Sequence, residues 1–192
     1  MILYLHGFRS SPQSNKAQIM QRTLAEQGLA ERWCCPQLPP SPAAAIELCN
    51  QLIHQAQLKH PASELLIIGS SLGGYYAHVL AEQWGCKAAL LNPAIHAARS
   101  LSTQVGTTTQ YHSNEAFEFL AHYIDELTAM HPQHATQLQR YFLLAASGDE
   151  VLDSSEMVDY YAGSQGLLIF GSDHGISDFT LYLAPLLAFI RA

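Results

Sequence analysis

The chain has 192 residues, 48% of them hydrophobic, enough to bury one substantial core, and a single domain spanning 1–192 is expected. A net charge of -7, with only 9 Lys+Arg and no basic cluster, argues against nucleic acid or an anionic membrane surface as partner. The longest apolar stretch, Leu181 to Ile190, contains Pro185 and is too short to span a bilayer; with no basic leader before Met1-Ile2-Leu3-Tyr4-Leu5-His6, the expected location is the cytoplasm.

Apolar runs alternate with helical patterns from the first residues on. Ile2–Leu5 reads as a strand that ends in His6-Gly7-Phe8. From Ser14 to Gln27, Ala17, Met20 and Leu24 share one helical face, and Gly28 is the stop. A second strand candidate, Arg32–Cys35, precedes Pro39-Pro40. Ser41 and Pro42 then supply an N-cap and a first-turn residue for a helix carrying Ala45, Cys49, Leu52, Ile53 and Ala56 at helical spacing. Leu65–Ile68 leads into Gly69-Ser70-Ser71-Leu72-Gly73, with a helix-like stretch from Gly74 to Trp84 behind it. Ala88–Leu91, Phe142–Ala145 and Leu167–Phe170 complete the set of six strands. Short strands apolar on both faces and separated by helices predict an α/β fold with a parallel sheet covered on both sides. Active loops are then expected at the carboxyl ends of the strands.

Residues 95–140 separate two strands by more than one crossover needs, and predict a helix-leaning cap or lid. Its histidines, His96, His112, His122, His131 and His134, are irregularly spaced and no carboxylate pair converges on them, so solvated helix faces are expected and no metal. Cys34 and Cys35 are adjacent while Cys49 and Cys86 stand alone, a pattern that suits buried reduced thiols and neither a zinc site nor a redox pair.

The segment 69–73 is a G-x-S-x-G pentapeptide seated between strand and helix, the setting of a nucleophile elbow. Side chains at the flanking glycines would collide with strand and helix, and the turn lifts the Ser71 hydroxyl clear of the sheet. A serine hydroxyl needs a base and a third group to orient that base. In this fold type the chain order is serine, acid, histidine. His174, in the loop after the last strand, is the candidate base. Asp149 is the first choice for the acid, being close to its strand end after Gly148; Asp153 is the alternative, or a helix cap before Ser154-Ser155. Asp173 adjoins His174 and diverges from it. Phe8 N–H and Leu72 N–H are the candidate oxyanion donors, and His6, in the wrong place in chain order for the base, is read as holding the loop. A nucleotide loop is a poor alternative, since the spacing fits neither G-x-G-x-x-G nor a P-loop.

These segments together resemble the YqiA-like esterases, small bacterial members of the α/β-hydrolase superfamily. The matching residues are Leu3-Tyr4-Leu5-His6-Gly7-Phe8 with Ser10-Ser11-Pro12, Pro36-Gln37-Leu38-Pro39-Pro40, Gly69 through Ala77, Asn92-Pro93-Ala94, Gly148 through Asp153, and His174. The resemblance implies a compact hydrolase sheet, Ser71, Asp149 and His174 as triad, and esterase or acyl-thioesterase activity without a cofactor on a small-molecule acyl ester or thioester. It also makes an acyl-CoA substrate plausible, for which Arg9 and Lys16 are candidate phosphate contacts at the site mouth. The same machinery could serve an acyltransferase. A non-enzymatic ligand-binding protein on this fold would usually carry a broken triad.

Overall fold

Each apolar run is returned to one sheet by a helical crossover, so the strands line up parallel with their carboxyl ends on one side. The computed structural model describes residues 1–59, 64–111, 113 and 115–192. In chain order the elements are β1 (Ile2–Leu5), α1 (Asn15–Glu26), β2 (Trp33–Cys34), α2 (Pro42–Lys59), β3 (Leu66–Ser70), α3 (Leu72–Trp84), β4 (Lys87–Leu91), α4 (Ala97–Leu101), β5 (Gly106–Thr109), β6 (Ala116–Phe119), α5 (His122–Ala129), β7 (Tyr141–Ala146), α6 (Ser154–Tyr160), β8 (Gln165–Ile169) and α7 (Leu183–Arg191). The main sheet runs β2-β1-β3-β4-β7-β8, parallel throughout. This is the doubly wound six-stranded sheet expected from the sequence.

Strand alternation divides the core in two. Ile2, Tyr4, Ile68, Leu91 and Leu144 pack with Ala17, Met20 and Leu24 of α1 and with Leu186, Phe189 and Ile190 of α7. Leu3, Leu5, Ile67, Leu90 and Leu143 face the other way, onto Cys49 and Ile53 of α2, Tyr76 and Leu80 of α3, and Met157 of α6. Burying a leucine, isoleucine or phenylalanine contributes roughly 1.5–3 kcal/mol, so these two layers are the main source of the fold's stability. β8 begins two residues earlier than its apolar run suggests, because its pairing with β7 starts at Gln165 opposite Phe142; Phe170 lies beyond the strand and is 88% exposed.

The segment between β4 and β7 carries the expected helices, α4 and α5, and in addition an antiparallel pair, β5 with β6. Ala116, Phe117, Glu118 and Phe119 alternate exposed and buried, a strand period within a stretch otherwise read as helical. This cap is tied down from several sides. Glu126 of α5 accepts from the Ser41 hydroxyl and the Ala43 N–H at the start of α2, the Tyr75 hydroxyl donates to the Leu127 carbonyl, and Arg99 of α4 pairs with Glu156 of α6. Among the described residues, no helix is long and apolar enough to cross a membrane.

Candidate active site

The strand-turn-helix at Ser71 is as tight as its glycines allow. Ser71 has φ 56° and ψ −121°, a conformation that side-chain-bearing residues rarely adopt and that marks stored strain. A Cβ on Gly69 would lie 2.1 Å from the Gly73 carbonyl oxygen, and one on Gly73 only 2.0 Å from the carbonyl oxygen of Leu5 in β1. Gly7 faces the turn from β1, where a Cβ would sit 3.2 Å from that of Ser71. The three glycines therefore let β1, β3 and α3 converge on one hydroxyl.

Three loops at the carboxyl edge of the sheet complete the arrangement. The Ser71 Oγ lies 3.0 Å from His174 Nε2, and His174 Nδ1 lies 2.8 Å from Asp149 Oδ2. With a carboxylate on Nδ1, that nitrogen carries the proton, and Nε2 is left to accept from the serine. The Asp149 side chain has no exposed surface. Burial alone would raise its pKa, but hydrogen bonds from His174 and from the Leu152 and Val151 N–H groups outweigh it and hold the carboxyl below its usual range. Asp153 instead caps α6, accepting from the Ser155 N–H at 2.8 Å, and Asp173 accepts from the Ser177 N–H.

Two residues given no role from the sequence fix the histidine loop. Asn92, fully buried at the end of β4 with φ 43°, donates from Nδ2 to the Asp173 and His174 carbonyls, 3.1 Å each, and accepts from the Ala146 N–H on Oδ1. Glu150 accepts from the His174 N–H at 2.9 Å. An Asn-Pro pair directly after a strand was the available signal for Asn92, though nothing local names its partners.

Phe8 and Leu72 flank the serine, and among the described residues neither N–H donates to another protein atom. Both line a cavity of about 470 Å³ with Ser71 and His174, whose further walls include Tyr4, Ser10, Lys16, Leu101, Tyr111 and Leu152. His6 accepts from the Leu38 N–H on Nε2 at 3.1 Å, which holds the loop. Of the two cations placed at the mouth, Lys16 lines the cavity. Arg9 does not: its Nε donates to the Thr109 carbonyl at 2.7 Å and its guanidinium lies 4.5 Å over the Tyr111 ring, because Arg9, at φ 57°, is directed onto the β5–β6 ribbon. The Phe8 ring meets Phe117 and Phe119 edge-on, 5.1 Å to each, so the same ribbon grips the loop twice.

The cap histidines are dispersed. His131 lies between His96 and Tyr75, His122 sits 3.7 Å from Glu126, and His112 is outside the described residues. Among the described residues, no group of three His, Cys, Asp or Glu side chains is placed to hold a metal ion. All four cysteines are free thiols, and burial pushes those of Cys35, Cys49 and Cys86 up to about 12.

Residues 1–191 match the Uncharacterised protein family UPF0227. Among solved structures, the chain is similar to a metagenome-derived lipolytic enzyme of the LipS and LipT pair, with 20% identity, TM-score 0.66, and coverage of 99% of this chain and 92% of that one. It is also similar to Est1E from Butyrivibrio proteoclasticus (11% identity, TM-score 0.68, 100% and 88% covered) and to the Pyrococcus furiosus esterase Pf2001 (12%, 0.67, 99% and 80%). At these identities the likeness establishes the α/β-hydrolase fold.

Proposed function

The chain belongs to UPF0227, the YqiA family, and from that premise we propose that it is a serine hydrolase of carboxylic esters or acyl thioesters. The observation that carries this reading is the hydrogen-bonded series from Ser71 Oγ through His174 to Asp149, at 3.0 and 2.8 Å, opening onto one cavity. Ser71 Oγ attacks the acyl carbon while His174 Nε2 takes its proton, and Asp149 holds the ring and stabilises the imidazolium. The tetrahedral oxyanion sits between the Phe8 and Leu72 N–H groups, each donor worth about 3–4 kcal/mol in the transition state. Leu72 adds the positive end of the thirteen-residue α3. Collapse of the intermediate breaks the bond to the leaving group, which departs with the proton from His174. Water, activated by the same nitrogen, then releases the acid from Ser71.

The acyl part lies along Leu101 and Tyr111 of the cap and Leu152 of the loop after β7, where its methylenes leave water. The test is labelling with a fluorophosphonate and peptide mapping. Modification of Ser71, lost in His174→Ala, is the expected result. An unlabelled Ser71 in folded protein would favour a binding protein on a hydrolase fold.

A further inference from the structure

The cavity is lined by polar as well as apolar residues. Beside Leu101, Tyr111 and Leu152 it is bordered by Asn15 and Lys16 of the first turn of α1 and by Ser10 of the loop before that helix. Lys16 Nζ donates to the Gly175 carbonyl at 2.5 Å, so the ammonium lies beside the residue that follows His174. Resting on the serine-hydrolase reading, we propose that this side of the cavity binds an anionic oxygen, carboxylate or phosphate, carried by the departing alcohol or thiol of the substrate.

The leaving group must lie where His174 can hand it a proton, and this fixes which end of the substrate meets Lys16. The ammonium is half-buried, and among the described residues it makes no ion pair. Burial lowers its pKa to about 8 against the opposing pull of Asp173 and Asp149. Those carboxylates are already engaged, Asp149 by His174 and two N–H groups, Asp173 by the Ser177 N–H, while Glu150 accepts from the His174 N–H. A desolvated cation with a single carbonyl partner gains most from an anion that enters with the substrate. The first turn of α1 carries no acidic residue and Ser14 does not cap it, so its N–H groups favour the same sign of charge. Arg9, committed to the ribbon, adds nothing here.

Four thioesters test the assignment, with released thiol as the readout. Three share a butyryl group and leave as N-acetylcysteamine, 3-mercaptopropionate or 2-mercaptoethyl phosphate; the fourth is glutaryl-N-acetylcysteamine, with its charge in the acyl part. The wild type is expected to favour one or both anionic leaving groups in kcat/KM by roughly ten- to hundredfold over the neutral one. A gain with phosphate alone assigns the site to phosphate, and a gain with carboxylate assigns it to anionic oxygen generally. Lys16→Met should abolish the preference and Lys16→Arg should keep part of it. Above about pH 8 the preference should fade as the ammonium loses its proton. The proposal is overturned by equal rates on neutral and anionic leaving groups, by a preference for the glutaryl substrate instead, or by Lys16→Met slowing all four alike, which would leave Lys16 as a pin for Gly175. No thiol from any substrate, together with an unlabelled Ser71, would remove the hydrolase reading and this one with it.

Discussion

Replacing Asp149 by asparagine should cost far more than its one-atom change suggests. The carboxylate is enclosed and accepts three hydrogen bonds, His174 Nδ1–H on Oδ2 and the Val151 and Leu152 N–H groups on Oδ1 at 2.9 and 2.8 Å. An asparagine that keeps its oxygen on the two backbone donors must point its NH2 at His174. Nδ1 then has to accept, so the ring proton moves to Nε2, facing Ser71, and the base is blocked. Turning the amide round would set its NH2 against the Val151 and Leu152 N–H donors and lose both hydrogen bonds, at roughly 0.5–1.5 kcal/mol each, about 1–3 kcal/mol together, so the blocked orientation is favoured. The expected loss of turnover is about ten-thousandfold, the effect of the corresponding change in a Ser-His-Asp protease, or about 5 kcal/mol of barrier. Asp153→Asn, by contrast, leaves an equally good N-cap on α6 and should stay within about twofold. Steady-state turnover of p-nitrophenyl butyrate, with thermal melts to verify folding, measures both. A folded Asp149→Asn retaining a tenth of wild-type turnover, or an Asp153→Asn that is the slower of the two, would refute the reasoning.

Ser71→Ala and His174→Ala should each lower turnover by several orders of magnitude, and the double variant little more than either, since the pair acts as a unit; multiplicative losses would show otherwise. Arg9→Ala should lower kcat by roughly three- to tenfold with a smaller change in KM, because it releases the loop carrying Phe8 from the cap; a pure KM effect on anionic substrates would return Arg9 to the site mouth. His78, buried against Tyr141, Tyr160 and Tyr161, has its pKa lowered by burial to about 4 despite the opposing Glu82. The unfolded imidazole titrates near 6.5, so it takes up a proton that the native one refuses, and stability present above 6.5 is lost as pH falls toward 4. Urea midpoints at pH 7 and pH 5 should therefore differ more in the wild type than in His78→Gln; equal differences would assign the acid lability elsewhere.

The six strands, the elbow and the order of the loops carrying Ser71, Asp149 and His174 were legible because their signals are local: doubly apolar runs, a Gly-bounded serine, turn residues after strand ends. The β5–β6 ribbon was not. Gly106 to Thr109 is polar and mostly exposed, and only Phe117 and Phe119 betray a strand by facing Phe8, a contact more than a hundred residues away in sequence. Arg9 was misplaced for the same reason. Its neighbour Phe8 belongs to the site, but the side chain's direction follows from a positive φ and from Thr109 and Tyr111. Asn92 shows the converse case, a residue visible as part of a motif whose task is defined only when the ends of β4 and β7 and the histidine loop come together.

On the proposed hydrolase reading, the grip of the ribbon on residues 8 and 9 bears on how such a chain can diversify. Here the hairpin, whose Tyr111 lines the cavity, also braces the backbone at Phe8 and Arg9, through Tyr111, Thr109, Phe117 and Phe119. Selection acting on the hairpin for a new acyl group would reach the rate constant in the same step. Lineages and laboratory libraries alike should therefore find productive changes at 8, 9, 111, 117 and 119 in combinations, with single steps among them mostly disadvantageous.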